Sequence, residues 1–286
     1  MNRIGRVVVS NLDKVLFPAI GLTKKEIIEY YIRIAPDMLP YLGGRPVVMN
    51  RFPDGVGNPG FYEKNAPGET PDWVSISTRR SRTTGNSVRY IVCEDLDTLI
   101  WLANLAAIEL NITLSPANDP EKPDVALFDI DPEPPAGMAD AVRVARALDD
   151  VLQGLGILGY VKTSGKKGLH VVIPLRPGYS FSQVKKFVHA TGILLSREIE
   201  GVVSEFSHSQ DPGTVFVDYL QNSLGKTMAC PYSLRPVPAA AVSCPLRWED
   251  LAPSLRPEDF TPATMTSRKD DPWKGIFHNP QRIPVK

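Results

Sequence analysis

The stretch Val125-Ala126-Leu127-Phe128-Asp129-Ile130-Asp131-Pro132 decides how the chain is read. An apolar run that passes into alternating apolar and acidic residues predicts a β-strand, because successive side chains of a strand point to opposite faces. Phe128 and Ile130 then share one face, and Asp129 and Asp131 the other. The two carboxylates come within roughly 7 Å, a spacing that one or two divalent cations bridge. Without a cation the pair repels itself and suffers desolvation. Pro132 stops the strand at once and predicts that the pair lies at a sheet edge. The same residues also fit a solvated strand end followed by an Asp-Pro turn.

Around this stretch the chain alternates strand, helix, strand, helix, strand. The elements are Asp124 to Asp131, Ala139 to Leu155 with Val142, Ala145, Leu148 and Leu152 inward, Gly168 to Leu175, Phe181 to Ile199, and Thr214 to Leu220. The pattern predicts an α/β or α+β fold around a central sheet. The last strand, Val215-Phe216-Val217-Asp218-Tyr219, sets a carboxylate among apolar residues, where a charge is costly without a partner. A turn or an arginine would satisfy Asp218. Taken with the earlier pair, it points to a three-carboxylate site for Mg²⁺ or Mn²⁺ and to phosphoryl transfer.

Between these strands lies Lys162-Thr163-Ser164-Gly165-Lys166-Lys167-Gly168-Leu169-His170. Two glycines let backbone amides approach an anion, Ser164 offers a hydroxyl, and Lys167 adds charge. His170 follows on the strand. The spacing is not that of a P-loop, since Tyr160 and Leu220 stand where the first glycine of that motif belongs. A tight glycine turn with solvated lysines is the other reading. Gln221, Lys226 and Arg235 come after the third acid in an order that suits a nucleotide pocket.

Earlier in the chain, Thr23 and Glu26 form a capping box, and Ile27, Tyr31, Ile34 or Ala35, and Met38 follow on one helical face. Pro40 and Gly43-Gly44 are expected to end that helix. Arg51 to Pro71 reads as a Pro/Gly-rich loop with Phe61-Tyr62 exposed in it. Val88 to Cys93 reads as a strand. Leu96 to Leu110 reads as a second amphipathic helix. The tail beyond Pro236 is Pro-rich with little periodicity. The 286 residues carry 32 Lys+Arg against 32 Asp+Glu, which excludes a uniformly basic coat but leaves local basic grooves open. Three cysteines without a CxxC pair exclude a disulfide framework or structural zinc site, and predict a reducing compartment. No run reaches the roughly 18 apolar residues of a membrane span. One domain with a smaller N-terminal lobe, about residues 1–85, is expected.

Several long motifs carry a resemblance. They are Asn11-Leu12-Asp13-Lys14-Val15-Leu16-Phe17-Pro18, Gly43-Gly44-Arg45-Pro46, Arg51-Phe52-Pro53-Asp54-Gly55-Val56, Phe61-Tyr62-Glu63-Lys64-Asn65 and Trp101-Leu102-Ala103-Asn104. With the Asp129/Asp131 strand, the Ser164 to His170 loop, Val217-Asp218 and Ala229-Cys230-Pro231-Tyr232-Ser233-Leu234-Arg235, they span nearly the whole chain. The sequence resembles the polymerase domain of the prokaryotic end-joining ligase D family, a branch of the archaeo-eukaryotic primase superfamily.

The resemblance implies a primase-like core of two small, mainly antiparallel sheets flanked by helices, with the active site in the cleft between them. It implies template-directed nucleotide addition, often favouring ribonucleotides, in gap filling and end extension during non-homologous end joining. Asp129, Asp131 and Asp218 would hold two Mn²⁺ or Mg²⁺ ions. Ser164, Lys167, His170, Gln221 and Arg235 would touch the incoming NTP or dNTP, with Lys226 beside them. Phe61 and Tyr62 would stack on template bases, Arg51 would contact DNA, and Lys14 and Lys24 would grip a 5′-phosphate. Implied partners are DNA with gaps, overhangs or 5′-phosphorylated ends and a Ku-like end-binding protein. The chain carries no Lys-x-Asp-Gly ligase motif and no nuclease module, so a separate DNA ligase is expected. The implied location is prokaryotic, cytoplasmic and nucleoid-associated.

Asn50, Asn111 and Asp211 depart from the family, which usually carries a basic residue, a histidine, and an arginine or lysine there. Each departure removes a potential anion contact. A dedicated primase that starts RNA chains and a non-catalytic DNA-end binding module are the other readings. A carboxylate–metal nuclease fits the triphosphate-suited loop less well.

Overall fold

The computed structural model describes residues 2–80, 85–268 and 270–285. The chain divides into two compact units, each assembled from separated segments. Residues 1–113, 229–242 and 260–269 make the first, and residues 114–228, 243–259 and 270–286 the second. The first unit therefore runs past the lobe boundary expected near residue 85.

In the first unit two short ribbons, β1 (Asn2–Ile4) with β2 (Val7–Val9) and β3 (Val15–Phe17) with β4 (Leu22–Thr23), lead into α1 (Lys24–Leu42). The Thr23/Glu26 capping box starts α1, with Glu26 Oε2 accepting from Thr23 N at 2.8 Å. The helix runs on through Pro36 and Pro40 rather than ending at Pro40. Each proline removes one backbone hydrogen bond, but Ile27, Tyr30, Tyr31, Met38 and Leu42 are buried in the core, and that packing holds the last turn. The chain turns at Gly44, whose φ of 68° suits glycine.

Next come β5 (Pro46–Arg51), β6 (Phe61–Glu63), β7 (Ser75–Arg80), β8 (Ser87–Val92), α2 (Leu96–Asn104) and β9 (Ala107–Thr113). Two expectations are corrected here. Phe61–Glu63 is a strand paired with β5, within what reads as a loop. The second helix stops at Asn104, and Ala107–Thr113 is a fully buried strand beside β5. Ala106, in the left-handed region at φ 57°, makes the break.

The second unit contains β10 (Val125–Pro132), α3 (Met138–Gly154), β11 (Tyr160–Thr163), β12 (Leu169–Pro174), α4 (Phe181–Glu198), β13 (Val202–Val203) and β14 (Val215–Asp218). Its five strands lie in the order β11-β12-β10-β14-β13, antiparallel except for β13 with β14. Both helices contact β10 and β14. Phe128, wholly buried, meets Phe187 of α4 edge-on at 6.0 Å between ring centres. The opposite face of β10 carries the two acids. β10 is a central strand, so the pair does not lie at a sheet edge. Pro132 takes the last rung, opposite Val215, where a missing N–H is tolerated. Mixed elements with small, mainly antiparallel sheets match the fold class expected from sequence.

Gly168 lies where the loop after β11 joins β12, and a Cβ there would sit 2.1 Å from the carbonyl oxygen of Ile130 and 3.3 Å from Asp131 Oδ1. The backbone oxygen cannot give way as a flexible side chain would. Gly168→Ala is therefore expected to destabilise the fold by roughly 2–4 kcal/mol. Gly154, at the end of α3 with no neighbour within 4 Å of its would-be Cβ, is expected to gain up to about 1 kcal/mol as alanine. Thermal unfolding of the two variants measures both, and equal midpoints would contradict the close approach.

Candidate active site

Strand register assembles the acids. Asp129 of β10 stands opposite Asp218 of β14 on one side and His170 of β12 on the other. Directly opposed residues share a face. Asp218 and His170 therefore flank Asp129, and Asp131 lies two residues further along the same face. His170 Nε2 is 3.2 Å from Asp129 Oδ1, and both side chains are largely buried. One strand further, Lys162 of β11 stands opposite His170. It is wholly buried and its Nζ donates to Ser243 Oγ. Among the described residues, no three His, Cys, Asp or Glu side chains form a ready-made metal cage. The acids share a face through strand register.

Their protonation reports the crowding. Burial first, and then the Asp129 charge, push the Asp131 carboxyl up to about 6, against the pull of Lys167 and His170. Burial and Asp129 also raise Asp218, offset by hydrogen bonds from the Leu220 amide and the Gln221 side chain and by the Lys226 charge. Gln221 and Lys226 thus both act on the third acid. The Leu220 amide donates to Asp218 Oδ1 at 2.7 Å.

The glycine loop is held from within. Ser164 Oγ accepts from the amides of Lys166 at 3.2 Å and Gly168 at 3.1 Å, and Ser164 N donates to Gly168 O at 2.9 Å. Those two side-chain-bound amides are thereby occupied, which differs from a loop whose amides all face an anion. Gly165 takes φ 75°. Lys167 reaches outward, half exposed, to Glu133 at 3.0 Å.

The remaining candidates lie in the first unit. Lys14, Lys24 and Arg51 line one concavity. Lys24 is buried, and its Nζ donates to the Asn104 carbonyl at 2.9 Å. Burial, Lys14 and Arg51 hold its pKa below the usual lysine range. Lys14 pairs with Asp54 at 3.1 Å, and Arg51 with Glu63 at 2.7 Å. Phe61 and Tyr62 are 45% and 61% exposed, so both remain open to a ligand. The Arg51 guanidinium lies 5.3 Å from the Phe61 ring centre. Arg235 Nε stands 3.6 Å from Oε2 of the buried Glu109.

The departures from the family have local explanations. Asn111 Nδ2 donates to Glu109 Oε1 at 3.0 Å, and Asn50 stands opposite Glu109 across the strand pair. Asp211 Oδ2 meets His208 Nδ1 at 2.7 Å, within its own turn. Sequence reasoning missed Glu109 and the burial of Lys162, and read Gly168 only as part of an anion-facing loop, not as the close neighbour of the Ile130 carbonyl. A charged residue inside a strand is the one signal that marked Glu109, and it was hidden by the helical reading of Leu96 to Leu110.

Comparison with known proteins follows the same line. The family described as "LigD, primase-polymerase domain" matches residues 23–273. The bifunctional non-homologous end joining protein LigD of Bacillus subtilis is 32% identical over 281 residues, covering 96% of this chain and 45% of the relative. The multifunctional LigD protein of Mycobacterium tuberculosis is 36% identical over 263 residues, covering 88% of this chain and 34% of the relative. The chain thus spans less than half the length of these curated relatives. A solved structure described as the polymerase domain from Mycobacterium tuberculosis ligase D in complex with DNA superposes with a TM-score of 0.87 at 32% identity, covering 96% of this chain and 99% of that one. Family match, identity and fold agree, and the chain belongs to the LigD primase-polymerase domain family.

Proposed function

We propose that the chain is a template-directed nucleotidyltransferase that fills gaps and extends ends during non-homologous end joining, with a preference for ribonucleotides. The observation that carries this reading is the register that sets Asp129, Asp131 and Asp218 on one face of the second unit's sheet, beside the Ser164–Gly168 loop. Oxygen donors crowded until one carboxyl titrates near 6 suit hard divalent cations, and Asp129, Asp131 and Asp218 would hold them. Mn²⁺ or Mg²⁺ bound there would stabilise the charge that develops on phosphoryl oxygens. The primer 3′-hydroxyl attacks the α-phosphorus of the incoming nucleotide and pyrophosphate leaves. In this reading His170 orients Asp129, Gln221 and the Leu220 amide orient Asp218, and Lys167, Lys226 and Ser164 face the triphosphate. The relative solved with DNA supports DNA as substrate. The relatives' names support non-homologous end joining as the setting, and a Ku-like end-binding protein and a separate DNA ligase are the partners proposed for it.

Primer extension on a gapped duplex, with each metal and both nucleotide types, tests the chemistry. Alanine at Asp129, Asp131 or Asp218 is expected to lower extension by several orders of magnitude with the fold retained. Robust synthesis by Asp129→Ala would overturn the assignment. Extension that needs no primer would favour the dedicated primase.

The raised Asp131 pKa makes a separate prediction about stability. A carboxyl whose folded pKa lies above its unfolded value stabilises the fold fully below about pH 4 and loses that contribution as pH rises through about 6. Above pH 6, in chelator, ionised Asp131 costs roughly 2–3 kcal/mol. Asp131→Asn is therefore expected to raise the unfolding midpoint at pH 8 and to leave it nearly unchanged at pH 3.5. A midpoint at pH 8 at or below that of the parent would show that the carboxylate is not strained.

Lys14 and Lys24 are assigned to the 5′-phosphate of the downstream strand. The parent is expected to bind a phosphorylated gap more tightly than a hydroxyl-ended one, and the Lys14→Ala/Lys24→Ala double variant is expected to lose that difference. Each lost contact should reduce the slope of log K against log salt by about one. An unchanged preference in the double variant would remove both lysines from phosphate recognition.

A further inference from the structure

The concavity that holds Lys14 and Lys24 encloses about 550 Å³, within the range of small-ligand sites and much more than a phosphate group fills. Its wall combines cations, aromatic and apolar residues with one carboxylate, Glu69. Lys14, Lys24 and Arg51 supply three cations, and burial, then Lys14 and Arg51, lower the Lys24 pKa. Trp73 and Arg6 supply a flat surface, with the guanidinium carbon 4.4 Å from the indole ring centre. Arg6 also binds Asp97 at 2.6 Å and Asp95 at the start of α2. Its charge is thus balanced, and the guanidinium plane fixes the indole from one side. Cations beside a braced aromatic wall match a ligand with an anionic end and a flat apolar body.

We propose that this concavity seats the whole 5′-terminal nucleotide of a phosphorylated DNA strand, with Trp73 stacking on its base. The inference rests on the 5′-phosphate reading of Lys14 and Lys24 and adds base contact to it. End recognition then depends on the terminal base as well as on the phosphate. A strand whose first sugar has lost its base is bound less tightly, whatever its sequence, because every base offers a π-face.

Binding of the full chain to gapped duplexes with three downstream ends tests this: a 5′-phosphate on an ordinary nucleotide, a 5′-phosphate on an abasic tetrahydrofuran residue, and a 5′-hydroxyl. The parent is expected to bind the ordinary phosphorylated end roughly ten-fold more tightly than the abasic one. Trp73→Ala should abolish that difference and keep the preference for phosphate over hydroxyl. Trp73→Phe should restore most of the base effect. The ordinary end should quench tryptophan emission in the parent and not in Trp73→Phe, with unfolding midpoints confirming that both variants fold. Equal parent affinity for the ordinary and abasic phosphorylated ends would overturn the base seat while leaving the phosphate reading intact. A base effect that survives Trp73→Ala, or loss of phosphate preference in that variant, would overturn it too. A parent indifferent to phosphate would instead overturn the reading on which the inference rests.

Discussion

The cost of placing like charges on one buried face governs the second unit. Asp129 and Asp218 are cross-strand partners, and Asp131 shares their face two residues on. Directly opposed carboxylates destabilise a sheet, so their neighbourhood is built to contain the repulsion. His170 faces Asp129, Gln221 and the Leu220 amide bind Asp218, and Lys167 and His170 pull against the rise at Asp131. Gly168 lets the turn come close enough for this arrangement. The apolar half of β10 supplies the compensation, since Phe128 and Ile130 are wholly buried on the helix side. One strand thus anchors the core with one face and holds the charge with the other.

The first unit solves a different problem, that of holding cations and aromatics open. Lys24 is buried and donates a hydrogen bond to the Asn104 carbonyl. Phe61 and Tyr62 stay exposed on β6, a three-residue strand paired with β5. Glu109 shows how the same sheet treats an acid. It is set between Asn111 and Arg235, so the asparagine at 111 orients a carboxylate where the family usually carries a histidine.

Much of this was legible in the sequence where periodicity was unambiguous. The capping box marked α1 to the residue, and the alternation in β10 assigned Asp129 and Asp131 to one face. The failures have physical causes. Ala107 and Leu110 continue the apolar spacing of α2, and the break falls on Ala106 in a left-handed conformation that no glycine announces. Pro40 reads as a stop, yet tertiary burial of Tyr41 and Leu42 carries the helix past it. β6 is hidden among glycines and prolines, and its pairing with β5 is a non-local fact. Which strand neighbours β10 on each side is equally non-local, so a strand end was mistaken for a sheet edge.

The interleaving of the two units bears on how the chain can be made. The first unit takes its residues from three stretches, the last ending near residue 269, and the second is closed by residues 270–286. Val242 N bonds Phe260 O in the first unit, and Gln281 N bonds Pro174 O in the second. A nascent chain that has left the ribosome as far as residue 228 holds two unfinished cores, with apolar strands waiting for partners still unsynthesised. Both cores close only once the stretches around residues 260 and 281 have been made. Cutting the gene after residue 113 would therefore yield fragments that each lack part of their own core.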